Sequence, residues 1–262
     1  MSGHLAVMNL TKTFPLTGKQ RKLMPEAGAK IKALDKLSFN VGQGEVFGLL
    51  GPNGAGKTTT MRIIATLLKS DSGDVFVDGD SVKEYPFRIR RKIGFLSGDL
   101  KLEDFFTPAY LFDFFSSLRD VPKAQALKRR EQLFERFGIN EYAHKKFGAL
   151  SSGMKQKVSF VVSITHDPKI IIFDEPTNGM DILAARTITE FLLELKKQGK
   201  TIILSTHIFS LAEKICDRVG FIINGKMLYS DSVRQTLDKR NLEEAFFLFY
   251  DQFRQLHAEA AE

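Results

Sequence analysis

Three stretches of this chain have the residue types and spacing for phosphate chemistry. Gly51-Pro52-Asn53-Gly54-Ala55-Gly56-Lys57-Thr58-Thr59 fits the pattern G-x-x-x-x-G-K-[ST] and follows an apolar run, Val46 to Leu50. Glycines at such spacing let successive backbone N–H groups turn inward around phosphate oxygens, while Lys57 can reach the β- and γ-phosphates and Thr58 can ligate Mg²⁺. A helix starting near Lys57 adds the positive end of its dipole. Ile170-Ile171-Ile172-Phe173-Asp174-Glu175 is an apolar strand delivering two acids at its carboxyl end, where ligands bind in open α/β sheets. The first acid suits a metal's water shell and the second can polarise an attacking water. In Leu150-Ser151-Ser152-Gly153-Met154, Ser151 can cap a helix, and a hydroxyl beside glycine-exposed N–H groups makes a second surface for phosphate.

These residues need a scaffold, and the flanking pattern supplies one. Leu5–Leu10, Leu37–Val41 and Val46–Leu50 read as strands, with the polar, basic run Pro15 to Lys30 between the first two predicted as a flexible loop. Met61, Ile64, Ala65 and Leu68 recur at helical spacing, which predicts a helix from about Lys57 to Leu68. After a short strand, Ile93–Leu96, the texture becomes helical over Phe105–Leu118, Lys123–Phe137 and Ser151–His166. Strands are predicted again at Ile170–Phe173 and Thr201–Ser205, with a helix over Ile182–Lys197 between them and helix from about Ser230 onward. Buried strands separated by helices imply a parallel sheet covered on both faces, with an all-helical insertion.

Composition narrows the class. The chain has 262 residues, 43% hydrophobic and 26% charged, as in an ordinary soluble α/β protein. One cysteine, Cys216, excludes a disulfide framework, favours a reducing compartment and suits a small buried hydrophobe. No leader-like N-terminus and no run long enough for a membrane helix are visible, so a cytoplasmic location is expected. The net charge of +7 is dispersed except at Lys19–Lys22, Arg88–Lys92 and Lys128–Arg130, and no RNA- or DNA-binding fingerprint accompanies it. Nucleic acid is therefore not an expected partner; the charge suits a nucleotide ligand and an anionic membrane face.

Taken in order, the motifs resemble those of ABC-type ATPases. Leu150 to Lys157 is similar to the family's signature sequence, with Ser152 and Met154 departing from its usual Gly and Gln. Asp174-Glu175-Pro176-Thr177-Asn178-Gly179-Met180-Asp181 looks like its Walker B segment running into the D-loop, and Ser205-Thr206-His207 like its switch histidine. Phe14 is placed like the aromatic that stacks on adenine, with ordinary core packing as the other reading. Leu10 to Phe14, Phe47 to Leu50 and Thr60 to Leu68 look most like ATP-binding subunits of the sodium-extrusion and drug-exporter group. One position departs: where the family has a glutamine after Ile-Gly-Tyr-Leu-Pro, this chain has Ile93-Gly94-Phe95-Leu96-Ser97-Gly98-Asp99. Asp99 is the candidate to take over part of the Mg²⁺ role.

The resemblance implies a P-loop NTPase of the ABC ATPase type: a mixed-sheet α/β core, an N-terminal antiparallel β-subdomain and an inserted all-helical subdomain. It implies an ATPase domain over residues 1–230, with the Q-loop region and helical subdomain at about 93–166, and a C-terminal helical extension over 231–262. ATP and Mg²⁺ are the implied cofactors. The implied site combines Gly51, Asn53, Gly54, Gly56, Lys57, Thr58, Thr59 and Phe14 of one copy with Ser151, Gly153, Met154 and Asp181 of another. Glu175 is the general base, His207 the γ-phosphate contact, and Thr58, Asp174 and Asp99 the metal group. The implied partners are a second copy or a homologous ATPase subunit, and a separate membrane permease through which export is driven. Peripheral attachment to the inner face of the cell membrane follows. The alternative is a soluble ABC-type ATPase, or a regulatory nucleotide-binding module of low turnover, with no link to transport.

Overall fold

The computed structural model describes residues 4–16, 30–97, 102–238 and 240–259. A first sheet takes β1 (Leu5–Pro15), β2 (Lys30–Val41), β4 (Ser72–Val77) and β5 (Asp80–Ser81) in the order β2-β1-β4-β5, with every pairing antiparallel. A second sheet has the order β10-β9-β3-β8-β7-β6, from β3 (Val46–Leu50), β6 (Ile93–Ser97), β7 (Ile170–Asp174), β8 (Thr201–Thr206), β9 (Arg218–Ile223) and β10 (Lys226–Ser232). All its pairings are parallel except the β9–β10 hairpin, so the sheet is mixed.

Alternation along β7 shows how the layers form. Ile170 and Ile172 face a core shared with β1, β2, β4 and helix α1 (Lys57–Ile64). Ile171 and Phe173 face the opposite core, shared with the later helices. All five β7 residues are buried, as a strand covered on both faces requires, and each such Ile or Phe side chain contributes about 1.5–3 kcal/mol.

Between β6 and β7 the chain is helical: α3 (Pro108–Leu118), α4 (Lys123–Phe137) and α5 (Ser152–Ser163). Thr107 caps α3 by accepting from the Tyr110 N–H, Pro108 occupies the first turn, and Gly138 closes α4 in the left-handed conformation. Further helices are α2 (Pro86–Lys92), α6 (Ile182–Lys197), α7 (Phe209–Ile215), α8 (Val233–Leu237) and α9 (Leu242–Glu259). Among the described residues no helix is long and apolar enough to cross a membrane.

Three details differ from the sequence expectation. Strand β2 begins at Lys30, because pairing of Phe14 with Ile31 extends the hairpin well before the apolar stretch at Leu37. Helix α1 ends at Ile64, and Thr66 then takes a positive φ of 62°. The segment around Ser230 is strand through Ser232 before turning helical, since it completes a hairpin with β9. Residues 17–29, which hold most of the expected loop and the basic cluster Lys19–Lys22, lie outside the described residues, as do Gly98 and Asp99.

Candidate functional site

Strand β3 runs directly into the glycine-rich loop, and α1 leaves from it. Gly54 and Gly56 adopt φ of 82° and 107°, left-handed values that glycine takes without strain. Space is as restrictive as conformation. A Cβ on Gly51 would lie 2.2 Å from the Ile222 carbonyl oxygen, and one on Gly56 would lie 2.6 Å from that of Ala33. The loop is thus clamped between β2 and β9, and the Gly225 N–H holds it from the β9–β10 turn by donating to the Ala55 carbonyl at 2.9 Å. Pro52, Asn53 and Gly54 are exposed, and Thr58 and Thr59 half-buried at the helix start.

Lys57 is 5% exposed and folds back into the loop. Its Nζ donates to the Gly51 carbonyl at 2.6 Å and the Pro52 carbonyl at 3.1 Å, and lies 3.7 Å from Glu175 Oε1. Burial pushes its ammonium below the ordinary lysine range, while the Glu175 and Asp174 carboxylates act in the opposite sense. Strand pairing brings the acids there: β7 lies beside β8 with Asp174 opposite Ser205. Asp174 is buried and accepts from Ser205 Oγ at 2.5 Å.

Glu175, one residue beyond the strand, is held from all sides. Its N–H donates to the Ser205 carbonyl and Ser205 Oγ, both at 3.1 Å. Its φ is 53°, left-handed for a residue with a full side chain, so the backbone stores strain of about 1–3 kcal/mol. That turn aims the carboxylate between Lys57 and His207, whose Nδ1 lies 3.3 Å from Oε2, while Asn178 Nδ2 donates to the same oxygen at 2.9 Å. A carboxylate gripped by an ammonium, an imidazole and an amide is pre-positioned to orient a water and take its proton. Sequence patterns gave Glu175 and His207 separately; the support from Ser205 emerges only from the register of β7 and β8, and that from Asn178 from the turn after Glu175.

The second expected surface stands apart from this cluster. Ser151 is exposed and caps α5, its Oγ accepting from the Met154 N–H at 3.3 Å. Gly153 has a different character from the loop glycines: its φ is not positive, and the nearest atom to an added Cβ would be Asp181 Oδ2 at 3.5 Å. Nothing in this chain requires glycine there. Asp181 caps α6, accepting from the Leu183 and Ala184 N–H groups at 2.9 Å each. The Ala184 N–H, first among these donors, holds its carboxyl below the usual carboxylate range. Phe14 is half-buried on β1 with Lys12 Nζ 5.5 Å from its ring centre, and its strand partner Ile31 lies two residues from the Ala33 carbonyl that abuts Gly56.

For a metal, the described residues contain no group of three or more His, Cys, Asp or Glu that could enclose an ion. A lone hydroxyl at Thr58 and one buried carboxylate at Asp174 suit Mg²⁺, which keeps several waters and draws other ligands from phosphate oxygens.

A phosphate cradle between a buried strand and a helix, faced by two acids at the end of β7 one strand further along the sheet, defines a P-loop ATPase. The family model described as ABC transporter matches residues 34–178, and the chain belongs to that family. It is 36% identical over 220 residues to the ABC transporter ATP-binding protein NatA of Bacillus subtilis (strain 168), covering 84% of this chain and 89% of that protein. It is also 36% identical over 195 residues to the Nod factor export ATP-binding protein I of Ralstonia nicotianae, covering 74% of this chain and 61% of that one. A solved ATP-binding cassette, dimeric in a post-hydrolysis state with ADP and Pi, superimposes with a TM-score of 0.76 at 25% identity, over 88% of this chain and 99% of that chain. This chain is the ATP-binding subunit of an ABC transporter, and its activity is ATP hydrolysis.

Proposed function

We propose that two copies of this chain, or this chain and a homologous subunit, enclose ATP between them and drive export through a separate membrane permease. In this reading Gly51, Asn53, Gly54, Gly56, Lys57, Thr58 and Thr59 cradle the phosphates from one side. Ser151, Gly153 and Met154 close the site from the other copy, with Asp181 organising the junction and Phe14 stacking on the adenine. Thr58 and Asp174 hold Mg²⁺, which when bound neutralises charge on the transferring phosphoryl group. Glu175 orients the attacking water and accepts its proton, and His207 contacts the γ-phosphate.

The observation that carries this reading is the placement of Glu175, strained to φ 53° and set between Lys57 at 3.7 Å and His207 at 3.3 Å. The conformational freedom of Gly153, which no contact within the chain demands, supports a trans role for the signature segment. The dimeric relative with bound ADP and Pi supports pairing, and the relative named for Nod factor export supports the direction of transport. Phe105, Tyr110 and Phe114 are 62%, 48% and 48% exposed on the helical insertion, an apolar face suited to the permease and hence to the inner membrane surface. Glu175→Gln is the decisive variant. It should bind ATP, accumulate as a closed dimer in size-exclusion chromatography and lose hydrolysis by about 10³-fold; wild-type turnover would overturn the assignment.

A further inference from the structure

His207 stands on the turn between β8 and a short helix, α7. The sheet fixes β8 up to Thr206, so the placement of the imidazole depends on where α7 begins. Seven residues make a marginal helix by themselves, and no side chain caps the start of this one. Its last turn is held from α6 by Lys196 Nζ, which donates to the Ile215 carbonyl at 3.0 Å. Its first turn is held from the C-terminal helix, α9. Phe209, two residues after His207, packs against Phe246 with ring centres 5.4 Å apart. One turn further along, Glu213 Oε1 accepts from the Leu242 N–H at 2.9 Å.

Helix α9 is in turn anchored on the sheet. Phe249 stacks on Tyr229 of β10 with ring centres 4.6 Å apart, and Phe246, 7% exposed, meets Phe221 of β9 edge-on at 5.5 Å. The Phe246 ring therefore lies between the strand that clamps the phosphate loop and the helix that follows His207. Close-packed rings pass a displacement on to their neighbours instead of absorbing it. The imidazole itself is 47% exposed, so little packing of its own restrains it. We propose that Phe246 is a positioning residue for ATP hydrolysis: through Phe209 it sets the start of α7 and holds His207 Nδ1 at 3.3 Å from Glu175 Oε2. A misplacement of about 1 Å at a group that contacts the reacting phosphate is enough to cost turnover without loosening the substrate. Phe246 acts only through α7, and its role rests on the γ-phosphate contact proposed for His207 above.

Turnover of the full-length chain, expressed per ATP-binding site so that an unfolded fraction does not count, tests this. Phe246→Ala should lower kcat about five- to tenfold and leave KM for ATP within about twofold. The His207→Ala background carries the decision: there the same change should lower kcat by less than about twofold, because the group it positions is gone. Phe209→Ala, on the half-buried side of the same contact, takes its place in the cycle if Phe246→Ala melts below the assay temperature. The chain has five histidines, and the ring signal of His207 in a ¹H–¹³C spectrum is identified by its loss in His207→Ala. That signal should shift in Phe246→Ala. An unchanged kcat, an equal fold-loss in the two backgrounds, or an unmoved His207 signal overturns the role given to Phe246 and leaves the nucleotide site as described. Wild-type turnover in His207→Ala alone would instead remove the γ-phosphate role of His207, and the positioning role falls with it.

Discussion

The two glycine-bearing segments of the site obey different constraints. In the phosphate loop, Gly51 and Gly56 sit where the carbonyls of Ile222 and Ala33 leave no room for a Cβ, and Lys57, Asp174 and Glu175 are satisfied by their own chain. In the signature segment, a Cβ on Gly153 would make only an ordinary contact with Asp181 Oδ2, at 3.5 Å, and Ser151 is exposed. One half of the site is determined by internal packing. The other is not, since no contact within the chain accounts for a glycine at 153.

Substitutions can break or sharpen this contrast. The largest effect is expected for Gly56→Ala, where a left-handed φ and a backbone oxygen at 2.6 Å combine: unfolding free energy should fall by about 3 kcal/mol or more, and nucleotide affinity with it. Gly54→Ala is the internal control, since its φ is 82° with nothing within 4 Å; urea denaturation should show a loss of only about 1–2 kcal/mol. Equal losses at the two positions would mean that conformation, and not the clamp by β2, governs the loop. Next, Ser205→Ala removes the donor to buried Asp174 and should cost about 1–3 kcal/mol in thermal unfolding, with hydrolysis reduced more than ATP binding.

Smaller effects are expected on the open half. Gly153→Ala should stabilise the isolated subunit by about 0.5 kcal/mol, because alanine suits a helix better than glycine, while ATP-dependent dimerisation falls. Destabilisation of the monomer would show that the glycine serves its own chain after all. Smallest is a pH effect at Asp181. Its folded pKa lies below the unfolded value of 3.8, so its contribution is present above that value and lost as pH falls through the folded pKa. Asp181→Asn keeps a cap but should flatten that part of the urea-midpoint profile between pH 5 and 3.

Much of this site is legible in the sequence because it is local. The loop, the acids ending β7 and the Ser151 cap each occupy a few consecutive residues whose types declare their geometry. The supports depend on the fold. Ser205 meets Asp174 only because β7 and β8 pair in that register, and Asn178 reaches Glu175 through a turn of the intervening backbone. The β9–β10 hairpin left a visible signal, Asn224-Gly225 between apolar runs, with positive φ at both residues. It is hidden by the helix-like residues that follow it. The long β2 was obscured for a different reason: Lys30, Ile31 and Lys32 are all exposed and two of them are polar, and strand pairing holds them in place without burial.

The position of β3 sets the order in which the molecule can assemble. Its neighbours β8 and β9 come from the last third of the chain, and the Val46 N–H bonds to an Asp217 oxygen 171 residues away. Contacts of such separation carry a large loop-closure cost and form slowly. During synthesis the phosphate loop emerges early, yet β9, which clamps it on one side, and β8 beside its strand are made much later. ATP therefore cannot template the first stages of folding; it can only favour the finished sheet, which makes nucleotide a late-acting folding ligand for this chain.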